Sequence, residues 1–173
     1  MSLRTDRIGF AVAAAAAIVL TPTGSSAQAL TTRHSLGAEA AKAAVAGCET
    51  YARQHGWAMA IAVIDATGEP LAFLRMDGSP QISIDFANGK AKAAQRMGAP
   101  SDMLIDRLAK GDSQVLNWGL LPSKGGLPII VDGETVGAVG TSGVAQGRDV
   151  ECTRAAVEAA QALIARDGKT LAR

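Results

Sequence analysis

The sequence predicts an α+β fold, in which a small, mainly antiparallel sheet is flanked by helices within a single domain. Two observations support this prediction. Apolar runs short enough to be strands occur in two pairs, over 58–76 and 127–139, and turn residues separate the members of each pair. Apolar residues recur at helical spacing before, between and after these pairs. Hairpins therefore outnumber crossovers, which favours antiparallel pairing with helices packed on the sheet.

The first half of the domain is expected to contain a helix and a hairpin. Either Thr31-Thr32 or Ser35 can cap the helix, which should end at about Gln54, just before a glycine. A buried strand over 58–64 and a second strand over 70–76 follow, joined by a turn at 65–69.

The second half is expected to contain three helices and the second hairpin. Helices are predicted over 83–97 and 101–110, and the glycine- and proline-rich stretch 111–126 should be mostly irregular. Strands over 127–131 and 135–139 surround Asp132-Gly133, a pair typical of type I′ turns, in which both central residues have positive φ. The last helix should begin at Asp149 and run to about Arg166.

The N-terminal segment has the layout of a secretory signal peptide. Arg4 and Arg7 precede an uncharged apolar run over 8–20, and Ala27-Gln28-Ala29 supplies the small-residue pattern of a cleavage site. The run is short for a membrane span, although an uncleaved anchor is the alternative. We therefore expect a signal peptide over 1–29, a folded domain over 30–173, and a periplasmic or secreted protein.

The composition argues against several classes of protein. Charged residues make up 19% and hydrophobic residues 48%, which excludes a disordered charged tail. The formal net charge of +1 becomes zero once Arg4, Asp6 and Arg7 are removed, so no basic surface for nucleic acid or anionic lipid is indicated. Aromatic residues, at 3%, are too few for a platform that stacks single-stranded bases. Neither nucleic acid nor, after cleavage, a membrane is an expected partner.

Cys48 and Cys152 leave two alternatives open. In an exported protein an even pair of cysteines can form a disulfide, and a loop of this length would gain roughly 4–5 kcal/mol in the chain-entropy model. Each cysteine also lies within an apolar helical pattern, as buried free thiols do.

Familiar catalytic motifs are missing from the sequence, which has no G-x-S-x-G elbow, H-E-x-x-H or P-loop. Glycine-rich segments instead border the second hairpin at 123–128 and 137–143. If its strands pair, both segments lie near one rim of the sheet, where backbone N–H groups could hold a carboxylate. The alternative is ordinary turn geometry and close packing.

A few charged side chains are candidates for binding. Arg75, at the end of a strand, could bind a carboxylate with two hydrogen bonds or form an exposed ion pair. Lys90 and Lys92 are two residues apart on a helix, so at most one should face a site. His34 could ligate iron or be an exposed polar residue. Asp149 could belong to a carboxylate site or act as a helix cap.

Five segments in order, 60–68, 71–78, 87–94, 125–129 and 136–143, resemble the GlcG/HbpS family of haem-binding and haem-degradation-associated proteins. The resemblance extends over about residues 31–165. It implies a profilin-like α+β domain that assembles into homo-oligomers, commonly octamers.

The resemblance also implies a function and a set of site residues. We expect an exported haem- or tetrapyrrole-binding protein, involved in iron or redox handling, with His34 as the candidate iron ligand and Met76 and Met97 as fallbacks. The residues that match the motifs are candidates for a shared ligand-binding groove at a subunit interface: Arg75, Asp77, Lys90, Gly125, Gly126 and Ser142.

Two other functions remain open at this point. One is a cofactor-independent enzyme acting on a small organic acid or an oxidised aromatic, in which Arg75 binds the carboxylate and Lys90 or Asp77 acts as general base or acid. The other is a structural oligomer without a small ligand.

Overall fold

The computed structural model describes residues 33–144 and 147–171, with side chains described through residue 167. The predicted signal peptide, 1–29, lies outside the described residues. Within them the order of helices and strands is the predicted one: α1 (Ala38–Gln54), β1 (Ala60–Asp65), β2 (Pro70–Arg75), α2 (Ile82–Met97), α3 (Met103–Ala109), β3 (Gly126–Val131), β4 (Glu134–Ser142) and α4 (Asp149–Leu171). None of the described helices is long and apolar enough to cross a membrane.

The four strands form one sheet in the order β2-β1-β4-β3, and each of the three pairings is antiparallel. This confirms the predicted α+β class. The turn between β3 and β4 confirms the I′ prediction, because Asp132 and Gly133 both have positive φ, at 50° and 81°. Ala60 in β1 faces Arg75 on one side and Ser142 on the other.

Helices cover both faces of the sheet, as predicted. Ile61 and Val63 of β1 pack in one core with α1 and α4, while Ala60, Ala62 and Ile64 pack in a second core with α2. Successive side chains of a strand point to opposite faces, so a strand covered on both sides has no polar face. This explains why β1 reads as a continuous apolar run.

Glycines allow α2 to lie directly on the sheet. A Cβ atom added to Gly140 in β4 would clash with the backbone of Ala87 and Ala91, and one added to Gly126 in β3 would clash with the backbone of Lys90. The helix backbone therefore occupies the space that side chains of the strands would otherwise fill. As a result, Lys90 is held against the paired strands β3 and β4.

The variant Gly140→Ala should lower the free energy of unfolding by about 3 kcal/mol, because the added methyl group forces α2 away from β4. Gly37→Ala is the matched control, since its Cβ would meet nothing within 4 Å. Gly37→Ala should lower the free energy of unfolding by less than about 1 kcal/mol. Urea denaturation measures both, and equal stabilities for the two variants would contradict the close contact between α2 and β4.

Several details differ from the prediction. α1 begins at Ala38, with Gly37 as its N-cap, later than either predicted cap allows. β4 runs to Ser142, past Val139, because its pairing with β1 continues through Gly140. The stretch predicted to be irregular contains a short 3₁₀ helix, Ser113–Trp118, whose Val115 packs on Leu104 and Ala93. A single 3₁₀ segment is too short to show a hydrophobic period. α4 extends past Arg166, to Leu171.

A disulfide joins α1 to α4. Cys48 and Cys152 are bonded, with their Cα atoms 4.7 Å apart, and both residues are fully buried. The close packing of the two helices is assisted by Gly47, where a Cβ would lie 2.7 Å from the carbonyl oxygen of Ala155. Of the two alternatives left open by the sequence, the structure therefore has the disulfide.

Candidate functional site

A buried ammonium group lies at the centre of the candidate site. The Lys90 side chain on α2 is 2% exposed, and its Nζ donates to Asp149 Oδ2 at 2.6 Å and to the carbonyl oxygen of Thr141 at 2.9 Å. A charge removed from water requires such partners. Among the described residues these bonds use two of the three ammonium hydrogens. The third has no hydrogen-bond partner among those residues.

The backbone of Gly125 makes room for this ion pair. Its φ of 105° is one that a side chain rarely adopts, and a Cβ there would lie 2.7 Å from Asp149 Cβ and 3.2 Å from Lys90 Nζ. Glycine at this position is therefore required for two reasons, the turn itself and the close approach of the lysine.

A network of hydrogen bonds fixes Asp149, the first residue of α4. Its Oδ1 accepts from the N–H of Val144 at 3.2 Å. Its carbonyl oxygen accepts from the hydroxyls of Thr141 and Thr153, at 2.8 and 2.9 Å. Thr153 also lies 2.9 Å from the carbonyl oxygen of Gly125. Because these buried polar groups are satisfied, the ion pair is held rigidly in place.

An open cavity of about 390 Å³ lies over the ion pair, within the size range of small-molecule sites. It is lined by four apolar residues, five polar or charged residues and one glycine: Phe86, Ile105, Pro122 and Val144; Lys90, Ser123, Lys124, Ser142 and Asp149; and Gly147. The centre of the Phe86 ring is 5.9 Å from Lys90 Nζ.

The charge of this Lys90 cavity favours an anion. Its lining carries two ammonium groups, Lys90 and Lys124, against the single carboxylate of Asp149, which leaves a formal charge of +1. The N-terminus of α4 adds a partial positive charge at Asp149. The cavity therefore suits a ligand that has one carboxylate for the ammonium groups and an apolar body for the Phe86 wall.

The structure brings four of the predicted site residues together. Lys90 and Ser142 line the cavity, and Gly125 and Gly126 lie against Lys90. Lys92 is exposed, so only one of the two lysines faces the site, as the helical spacing requires.

Arg75 and Asp77 are not among the residues that line this cavity. The guanidinium group of Arg75 donates two hydrogen bonds, of 3.1 and 2.9 Å, to the carbonyl oxygen of Ser79. It thus closes the loop that connects β2 to α2, and Asp77 is an exposed residue of the same loop.

His34 lies at the opposite end of β4 from Ser142. Its Nδ1 is 3.0 Å from Oε2 of Glu134, the first residue of the strand, and this hydrogen bond holds the pKa of Glu134 below its usual value. The length of β4 separates the two ends by about 25 Å. A groove of about 210 Å³ lies beside His34, between α4 and the β3–β4 hairpin. His34 is therefore remote from the Lys90 cavity.

Two contributors were missed by the sequence reasoning. Lys124 entered the sequence analysis only as part of a glycine-rich segment. A lysine directly before two glycines is a pattern that could have marked it as a candidate for binding an anion. Thr141 acts through its backbone carbonyl, which no sequence pattern specifies.

Comparison with known proteins gives concordant matches. A family model described as "Haem degrading protein HbpS-like" matches residues 36–158. Protein GlcG of Escherichia coli K12 is 32% identical over 108 residues, which are 62% of this chain and 81% of GlcG. A double mutant of Streptomyces reticuli HbpS is 33% identical with a TM-score of 0.70, covering 83% of this chain and 97% of that one. Klebsiella pneumoniae ORFY is 26% identical with a TM-score of 0.72, covering 78% and 96%.

Proposed function

Because the chain belongs to the HbpS-like family, we propose that it is an exported protein that binds haem or a related tetrapyrrole at the Lys90 cavity. One observation carries this proposal: the cavity places two ammonium groups, Lys90 and Lys124, beside an apolar wall that includes Phe86. Haem and its relatives combine propionate carboxylates with a flat apolar ring. The lysines would hold a propionate, and the apolar wall would cover an edge of the ring.

The cavity fits the periphery of haem but not its iron. Haem iron is held by histidine, cysteine, methionine or tyrosine, and none of these is among the residues that line the cavity. His34, the predicted ligand, lies at the other end of β4 beside a groove smaller than most ligand sites. We therefore propose that the tetrapyrrole binds through its carboxylates and its ring surface, and we propose no reaction at the iron.

Two features support export. The N-terminal sequence has the pattern of a signal peptide, and the disulfide between Cys48 and Cys152 is of a kind that persists in oxidising compartments such as the periplasm. A periplasmic or secreted tetrapyrrole-binding protein would serve iron or redox handling outside the cytoplasm.

Self-association also belongs to the proposal. Exposed apolar side chains lie near the start of α2 and on the 3₁₀ segment, where a second copy would remove them from water: Ile82, Phe86, Leu116 and Trp118. A homo-oligomer, such as the octamer implied by the resemblance, would place this surface at subunit contacts.

The enzyme alternative receives less support from the geometry. It requires Arg75 to bind the carboxylate of a substrate beside Lys90 or Asp77 as general base or acid. The Arg75 guanidinium instead binds the carbonyl oxygen of Ser79, and neither Arg75 nor Asp77 lines the cavity with Lys90. We do not propose that arrangement.

Titration with three ligands tests the proposed mode of binding: haem, metal-free protoporphyrin and the dimethyl ester of protoporphyrin. Haem should show a shifted Soret band, and metal-free protoporphyrin should bind with similar affinity because the iron is not the anchor. The ester should bind about tenfold more weakly, since it lacks charged carboxylates. Unchanged spectra would contradict tetrapyrrole binding, and equal affinity for the ester would contradict the role of the lysines.

The variant His34→Ala separates the two possible anchors. If the Lys90 cavity holds the ligand, His34→Ala should leave the haem spectrum unchanged. A changed Soret band in this variant would instead identify His34 as the iron ligand.

A further inference from the structure

Lys90 combines three properties that are seldom found together in a lysine. Its side chain is 2% exposed, a carboxylate oxygen lies 2.6 Å from its Nζ, and it lines an open cavity. A buried ion pair that only supported the fold would have no need to face a ligand-sized space. From this geometry we propose that Lys90 forms an imine with small aldehydes or ketones that carry a carboxylate, an activity that does not rest on tetrapyrrole binding.

Asp149 is placed to take the proton that an ammonium group must lose before it can attack. Its Oδ2 is 2.6 Å from Lys90 Nζ, so the transfer follows an existing hydrogen bond. The transfer leaves a neutral amine beside a neutral acid, and the neutral amine is the form in which a lysine attacks a carbonyl carbon. Desolvated lysines are the ones that form imines with carbonyl substrates.

The amine is fixed before any substrate arrives. The carbonyl oxygen of Thr141 accepts a second hydrogen bond from Nζ at 2.9 Å, and the bare backbone of Gly125 leaves no side chain beside it. The long lysine chain therefore has little freedom to lose when a carbonyl carbon is brought to it.

The rest of the cavity defines the class of substrate. Lys124 and Ser142 can bind a carboxylate, and Phe86 can cover an aromatic or short aliphatic body. A volume of about 390 Å³ accommodates a single ring with its substituents. The best substrates should therefore be small carbonyl compounds in which a carboxylate lies away from the reacting carbon.

The reaction balances without any further reagent. Asp149 accepts one proton from the ammonium group, and the lone pair of the neutral amine forms a bond to the carbonyl carbon. The carbonyl oxygen receives that proton from Asp149 and a second one from the nitrogen, and it leaves as water. The product is a protonated imine beside an ionised Asp149, formed by loss of one water molecule.

Reductive trapping with 4-carboxybenzaldehyde and cyanoborohydride, followed by peptide mapping, tests this inference on the wild-type protein. Lys90 should be labelled at least about tenfold faster than Lys92, because the cavity holds the aldehyde next to the amine. Lys92 is exposed on the same helix and so reports ordinary surface reactivity. Benzoate should slow labelling at Lys90 alone, and benzaldehyde, which lacks the carboxylate, should label Lys90 more slowly.

Two variants check the assignment. Lys90→Arg keeps a cation but should lose the labelled peptide, and Lys124→Met should remove the preference for 4-carboxybenzaldehyde over benzaldehyde. Folding is not in question in the wild-type protein. If its exposed lysines are labelled and Lys90 is not, the inference is overturned. Because the experiment uses no tetrapyrrole, it can succeed where the titration with haem fails, and the reverse also holds.

Discussion

Replacing Cys48 and Cys152 together with alanine should lower the free energy of unfolding by about 4–5 kcal/mol. The disulfide joins residues separated by 104 positions, and a cross-link over such a distance removes much of the conformational freedom of the unfolded chain. A small domain has only about 5–15 kcal/mol of stability in total, so this loss is a large share. Urea denaturation of the variant and the wild type measures the difference.

Reduction provides the matched control. Wild-type protein treated with a thiol reductant should unfold at nearly the same urea concentration as the double-alanine variant, since both lack the cross-link. If the oxidised wild type is no more stable than the reduced protein and the double-alanine variant, the disulfide between α1 and α4 contributes nothing to the stability of the fold.

Replacing Lys90 with methionine should lower the free energy of unfolding by about 3–5 kcal/mol. Methionine has a similar length and fills the same space, but it leaves the carboxylate of Asp149 buried without its partner. Lys92→Met is the matched control, because Lys92 is exposed on the same helix and should change stability by less than about 0.5 kcal/mol.

The double variant Lys90→Met with Asp149→Leu separates the cost of an unpaired charge from the cost of lost packing. Since both charges are removed, it should be more stable than Lys90→Met alone. If the double variant loses as much free energy of unfolding as Lys90→Met and Asp149→Leu lose when added together, the two side chains do not interact in solution.

Both hairpins and the layered fold could be predicted from the sequence because their signals are local. The Asp132-Gly133 turn is specified by two adjacent residues, and the strand β1 by its uninterrupted apolar run. The extent of β4 could not be predicted in this way. Its glycines are needed because α2 lies directly against the strand, and that contact depends on the fold and not on the local sequence.

The residues of the site were partly predictable. The family resemblance, which the family match confirms, predicts Lys90, Gly125, Gly126 and Ser142 as site residues, and the structure places them at or against the Lys90 cavity. The partner of Lys90 was not identified, because Asp149 is 59 residues away and also fits a helix cap. The family resemblance also groups Arg75 with the site, but its guanidinium group binds a carbonyl oxygen four residues away.

Fluorescence titration with metal-free protoporphyrin, on the wild type and on Lys124→Glu, tests directly whether the Lys90 cavity is the binding site. Lys124 is exposed at the cavity, so reversing its charge tests the site with little risk to the fold. The affinity of Lys124→Glu should be at least about tenfold weaker, because the carboxylate of the ligand then faces a like charge. Unchanged affinity in the variant would contradict the claim that the Lys90 cavity binds tetrapyrroles through their carboxylates.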